Sequence, residues 1–251
     1  MAMHRPDFAQ TLNIYTEEWK PVSFSENGEL KGLGVEIVQE ILNRHNSDVT
    51  IAIVPWARGW EMIQANPNTI LFTMTITPKR VKMFKLVGPV AIGETNFYAK
   101  KGTDYYVTRL EDAKVVKRIG VYQSAVEEQY LIERGFTNLE STALPFHSAK
   151  KLMLGRINLW CNADLTAPAI LQKAGYSIED VATVYTVRKN HLYIAFSATT
   201  SDSIVIQWKN TLQEIKEDGT FTKMYRKWLP DKTPPLYTKL INRVGHQPSS
   251  K

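Results

Sequence analysis

Arg80 is the residue whose type and surroundings best suit it to chemistry in this 251-residue sequence. It follows Thr77-Pro78-Lys79, in which threonine is a favoured helix cap and proline is tolerated at the first helical position. The run before it, Thr69 to Ile76, is apolar and β-branched and reads as a strand. Arg80 is therefore predicted in the first turn of a helix that directly follows a strand. There a guanidinium offers a planar fork to a carboxylate beside a positive helix terminus, and open α/β sheets bind their ligands at such strand ends. Thr75, next to it, adds a backbone N–H and a hydroxyl. On these grounds alone, a solvated arginine paired with a neighbouring acid fits equally well.

Other chemistry is hard to find. The sequence has no Gly-rich phosphate loop, no G-x-S-x-G elbow and no H-E-x-x-H pair. The five histidines (His4, His45, His147, His191 and His246) are isolated, and a single cysteine, Cys161, excludes an internal disulfide and a cysteine-based zinc site. Glu127 and Glu128 are adjacent, but they fall in the first turns of a predicted helix, where carboxylates stabilise the dipole. No metal, cofactor or catalytic residue is expected, and the chain does not read as an enzyme.

Composition is that of an ordinary globular protein, 43% hydrophobic and 22% charged. The net charge of +6 is scattered, with no basic cluster longer than Lys100-Lys101 or Lys150-Lys151, which suits a solvated surface rather than a nucleic-acid footprint. No apolar run approaches the ~18 residues of a membrane span. The opening Met1-Ala2-Met3-His4-Arg5-Pro6 lacks an apolar stretch and does not read as an export signal. Composition leaves open a cytosolic protein and an exported one whose signal has been removed.

These residues must be positioned by alternating strands and helices. Strands are predicted at Thr11–Tyr15, Val49–Val54, Thr69–Ile76, Lys117–Tyr122, Ile157–Asn162 and His191–Phe196. Between them, Val35, Val38, Ile41 and Leu42 recur at helical spacing, and Trp60–Ile63 reads as a short helix. Ser124-Ala125-Val126-Glu127 matches a capping box opening a helix to about Arg134, and Ser148 and Thr166 open two more. Asp202–Lys216 and Phe221–Leu229 close the helical pattern, and the tail after Pro230 is expected to be extended or mobile. Strands and helices alternate twice over, so the fold class is α/β with two mainly parallel sheets.

Three segments together resemble the extracellular solute-binding proteins of the polar amino-acid type, the substrate-capturing subunits of ABC importers. They are Thr16-Glu17-Glu18-Trp19-Lys20-Pro21-Val22-Ser23-Phe24 with Gly32-Leu33-Gly34-Val35-Glu36-Ile37, then Thr73-Met74-Thr75-Ile76-Thr77-Pro78-Lys79-Arg80, and Gly155-Arg156-Ile157-Asn158. The resemblance runs from about Leu12 to Trp228. It implies a type II periplasmic-binding fold, with two lobes joined by crossovers near Asn96–Ala99 and Leu192–Ala195 and a ligand held in the cleft by hinge closure. Lobe 1 is expected over 1–98 plus 190–230, lobe 2 over 99–189 and a tail over 231–251.

The resemblance also shifts Arg80 toward ligand binding, with Thr73 and Thr75 beside it. It implies that Trp56 stacks on the ligand and that Trp19 is a second cleft aromatic, although core roles compete for both. Arg58 is expected near Trp56, and Glu17 to accept from a distal polar group of the ligand or to face water. In lobe 2 the sequence departs from the family. The acid usual seven residues after Arg156 is replaced by Ala163, with Asp164 one later, and Tyr122 and Ser124-Ala125 stand where other residue types are common. The implied partners are an amino acid or related small carboxylate and a membrane permease, with no nucleic acid, for a periplasmic monomer. A ligand-sensing receptor domain is the second implied role, and a cyclohexadienyl-dehydratase-like enzyme the third.

Overall fold

The computed structural model describes residues 12–244. The opening Met1–Pro6, Thr11 of the first predicted strand, His246 and the end of the tail lie outside the described residues. The chain divides into two units, residues 1–92 with 191–251 and residues 93–190. It passes from one unit to the other within two 16-residue strands, β6 (Lys85–Lys100) and β10 (Val181–Phe196). Both are α/β. Among the described residues no helix is long and apolar enough to cross a membrane.

Unit 1 opens with β1 (Asn13–Thr16), the hairpin β2 (Phe24–Glu26) and β3 (Glu29–Lys31), α1 (Leu33–Arg44), β4 (Ile51–Ile53), α2 (Trp56–Ala65), β5 (Thr69–Thr75) and α3 (Pro78–Met83). The hairpin turn is Asn27-Gly28, both at positive φ (55° and 82°), the geometry two-residue hairpins prefer. Strand β1 lies between β4 and β5, parallel to both, and β10 joins β5 antiparallel. All seven residues of β5 are buried, as an interior strand covered on both faces demands. Val35, Val38, Ile41 and Leu42 form the buried stripe of α1, as their spacing predicts.

Unit 2 holds a 3-10 turn (Leu110–Val115), β7 (Ile119–Tyr122), α4 (Val126–Glu133), β8 (Leu139–Thr142), α5 (Pro145–Met153), β9 (Leu159–Ala163) and α6 (Ala167–Ala174). Here β7 lies between β8 and β9, parallel to both, and β6 pairs with β9 antiparallel. Side chains alternate across this sheet. Phe97 and Cys161 join one core with Leu131 of α4, while Tyr98 and Trp160 join another with Leu152 of α5 and Leu171 of α6.

The chain then returns to unit 1 through α7 (Asp202–Glu217), α8 (Thr220–Trp228) and β11 (Lys239–Asn242). Several local expectations are corrected. Helix α5 begins at Pro145 rather than Ser148, because proline takes its first turn and Ser148 is buried inside it. The capping box at Ser124 does not form. Helix α4 is capped at Ala125, and Ser124, at φ 61°, gives its N–H to Glu128 Oε2 at 2.6 Å instead. The tail is not wholly loose, since β11 pairs antiparallel with Lys85–Gly88 of β6.

Candidate functional site

In each unit the sequence-predicted residues gather where parallel strands end. In unit 1, Glu17 follows the carboxyl end of β1, Trp56 opens α2 after β4, and Thr75 ends β5 just before α3 and Arg80. Strand order reverses about β1, since the chain goes from β1 outward to β4 and then back past it to β5. Such switch points leave a crevice at the carboxyl ends of the strands.

Arg80 is held from several sides. Thr77 caps α3 by accepting the Arg80 backbone N–H at 3.2 Å, so that N–H is used within the turn. The side chain is 5% exposed, and its Nη1 donates to the Thr75 carbonyl at 2.8 Å. Its Cζ stands 4.9 Å from the Trp56 ring centroid and 5.2 Å from that of Trp60. A buried guanidinium over two indole faces is the opposite of a solvated surface arginine. Its planar fork is suited to a carboxylate.

Thr73 lies two residues before Thr75 on β5 in the left-handed region (φ 63°), with its hydroxyl donating to the Phe72 carbonyl at 2.7 Å. Trp56 is half-buried and packs at the margin of a core built on Ile63, Leu71, Met74 and Phe84. Trp19 lies in the turn after β1, closed by a bridge to Ser23, whose hydroxyl donates to the Glu17 carbonyl at 2.8 Å. Arg58 is exposed on α2. Two residues beyond Trp56, it is turned off the helix face shared by Trp56 and Trp60, so it does not join them.

In unit 2, Tyr122 ends β7, Ser124 and Ala125 lead into α4, and Asp164 follows the end of β9. Ala163 is the last residue of β9, buried opposite Thr95 of β6. Asp164 makes a reciprocal clamp with Glu94: its Oδ1 accepts the Glu94 N–H at 2.7 Å, and its own N–H donates to the Glu94 carbonyl at 2.8 Å. Behind this clamp, the Asn190 side-chain amide donates to Thr95 Oγ1 at 2.6 Å, and the Thr95 hydroxyl faces Glu127 Oε1 at 3.4 Å. Ser141 and the Ser124 N–H both donate to Glu128. Among the described residues no cluster of His, Cys, Asp and Glu is arranged to hold a metal.

Sequence reasoning missed Trp60 as a site residue. The available signal was its spacing of four from Trp56, which puts both indoles on one face of α2. Glu94 carried no such signal, because its partner Asp164 comes from another segment, whereas Glu128 lies only four residues after Ser124 but is displaced in the sequence pattern by Glu127, which has the capping-box spacing.

The sequence profile of the bacterial extracellular solute-binding proteins, family 3, matches residues 12–231. The arginine-binding periplasmic protein of Mannheimia haemolytica is 26% identical over 230 residues, covering 89% of this chain and 93% of that protein. Among solved structures, a histidine kinase sensor domain with similarity to periplasmic binding proteins superposes with a TM-score of 0.79 at 18% identity, covering 90% of this chain and 98% of that one. An ancestral arginine-binding protein bound to arginine gives a TM-score of 0.74 at 23% identity, covering 87% and 97%. The likeness to these two structures is one of fold.

Proposed function

This chain belongs to the bacterial extracellular solute-binding proteins of family 3, and from that premise we propose that it is the substrate-binding component of an ABC importer for an amino acid or a related small carboxylate. The observation that carries the proposal is Arg80, buried at the carboxyl end of β5, tied to the Thr75 carbonyl and placed over two tryptophans. In this reading the Arg80 fork takes the ligand carboxylate, with Thr73 and Thr75 beside it. Trp56 lines the approach, with Trp19 and Glu17 after β1. Asp164, Tyr122, Ser124 and Ala125 are the unit 2 contribution, Asp164 serving an ammonium where one is present. Capture proceeds by closure of the two units on the ligand, which shifts the equilibrium toward the closed form. The family and the periplasmic relative support a periplasmic location and a membrane permease as partner.

A thermal-shift screen against the amino acids, their amides and small carboxylic acids tests this, beginning with arginine because of the Mannheimia relative. A ligand that binds the folded state raises the melting temperature with concentration. Arg80→Ala is expected to weaken the active ligand by about tenfold or more, the loss of a charge-assisted bidentate contact. Unchanged affinity in that variant would overturn the site. A ligand-sensing domain is the second reading, favoured by the shared fold of the histidine kinase sensor domain. Stimulation of a reconstituted permease's ATPase by the loaded protein separates import from sensing.

A further inference from the structure

We propose that Trp60 is a positioning residue, which holds the Arg80 guanidinium in the orientation that distinguishes a carboxylate from its neutral analogues. The inference rests on the reading of Arg80 as the carboxylate partner. Its grounds are geometric. Arg80 Cζ, the Trp56 ring and the Trp60 ring form a nearly equilateral triangle, with 4.9 and 5.2 Å from the cation to the two centroids and 5.9 Å between them. Parallel rings sandwiching a cation would stand much farther apart. The guanidinium instead caps a pair of rings tilted by 33°.

Trp60 is anchored to the core by a further ring contact. Trp60 meets the edge of Phe84 at 5.4 Å with planes at 83°, and Phe84 is fully buried. Phe84 follows α3 four residues after Arg80, and its N–H donates to the Arg80 carbonyl at 3.0 Å. One helical turn therefore presents Arg80 and Phe84 to the same indole. Trp60 passes the rigidity of the core to a flexible side chain, while Thr75 fixes the guanidinium at one nitrogen. A long arginine chain carries much rotamer freedom, and an aromatic face that removes it in advance favours the ligand needing the fork in one plane. A neutral carboxamide gains much less from that arrangement.

The test uses the full chain, labelled with 15N-arginine, as wild type, Trp60→Leu, Trp60→Phe and Arg80→Lys, the last assigning the Arg80 resonance. Ring currents should move the Arg80 side-chain N–H signals upfield in the wild type. Trp60→Leu should abolish most of that displacement and Trp60→Phe keep part of it. Calorimetric titration with L-arginine and L-argininamide, or with the amino acid that the screen selects and its amide, supplies the second readout. Trp60→Leu should lower the preference for carboxylate over carboxamide by about fivefold, with Trp60→Phe restoring most of it. A merely structural defect lowers both affinities together and leaves the ratio intact, and that result, or unshifted wild-type resonances, overturns the proposal. A ratio unaltered in Arg80→Lys as well would overturn the carboxylate reading itself, so the two failures are distinguishable.

Discussion

Gly34 shows how closely the residues around the candidate site are fitted. A Cβ added there would stand 2.5 Å from Thr73 Cγ2, 3.2 Å from the Val22 carbonyl oxygen and 3.3 Å from Phe72 Cδ2. The nearest of these belongs to a β-branched side chain on a backbone already at positive φ, so it has little room to move. Gly34→Ala should therefore destabilise the protein by about 1–3 kcal/mol, read from the midpoint of urea denaturation. Thr73→Ser removes the offending methyl, and combined with Gly34→Ala it should recover part of the loss. Equal stability of Gly34→Ala and wild type would show that β5 yields. At this scale Arg80 and its threonine cap were legible, because Thr77-Pro78-Lys79-Arg80 is a local signal and local geometry decides it. Trp60 was not, because a tryptophan on an amphipathic helix reads as core until its neighbours are known. Glu128 took the Ser124 N–H that the S-x-x-E pattern assigned to a capping box with Glu127, a choice made by the positive φ of Ser124, which the sequence does not announce.

Lys216 governs an element that the sequence described poorly. Proline and polar content suggested a loose tail after Pro230, whereas β11 finds its partner in β6, more than 140 residues earlier by sequence position, and no local pattern encodes such a pairing. Between the two lies Lys216 of α7, buried, whose Nζ donates to the Pro89 carbonyl at 2.8 Å and the Tyr237 carbonyl at 2.6 Å. It thereby fastens the segment before β11 to the segment that β11 borders. Lys216→Met leaves both carbonyls without this donor, so amide hydrogen exchange in 236–242 should accelerate. Unchanged exchange would assign the fastening to the β11 ladder alone. Burial also pushes the Lys216 ammonium down to about 7 from its ordinary 10.5. Between those values the unfolded chain holds a proton that the folded chain does not, so this group favours folding at high pH and the contribution is lost as pH falls toward 7. The wild type should gain melting temperature from pH 7 to 9 relative to Lys216→Met, a slope that the variant lacks.

At the scale of the whole molecule, unit 2 is an insertion in unit 1, entered through β6 and left through β10. The α/β alternation was legible from periodicity, since α1, α6 and α7 carry buried apolar stripes and the interior strand β5 is an apolar run. The points of passage were harder to read. The sequence put the changeover near residues 98 and 190, and the units divide at 92/93 and 190/191, where each strand continues unbroken, so that Gly93 and Asn190 stand inside strands and do not read as turns. The proposed function assigns Arg80 in unit 1 and Asp164, Ser124 and Ala125 in unit 2 to one ligand, and that assignment has a thermodynamic consequence. At a hundred times its dissociation constant, a ligand adds about 2.7 kcal/mol to the stability of whatever must unfold to release it. For a chain of this size that is a rise of roughly 5–10 °C in melting temperature. If residues of both units hold the ligand, neither unit can unfold without releasing it, so calorimetry should show the entire transition moving upward together. A ligand held by Arg80 and its neighbours alone would raise only the part of the heat absorption due to unit 1 and broaden or split the trace. That second outcome would keep Arg80 as the carboxylate partner and remove Asp164, Ser124 and Ala125 from the site.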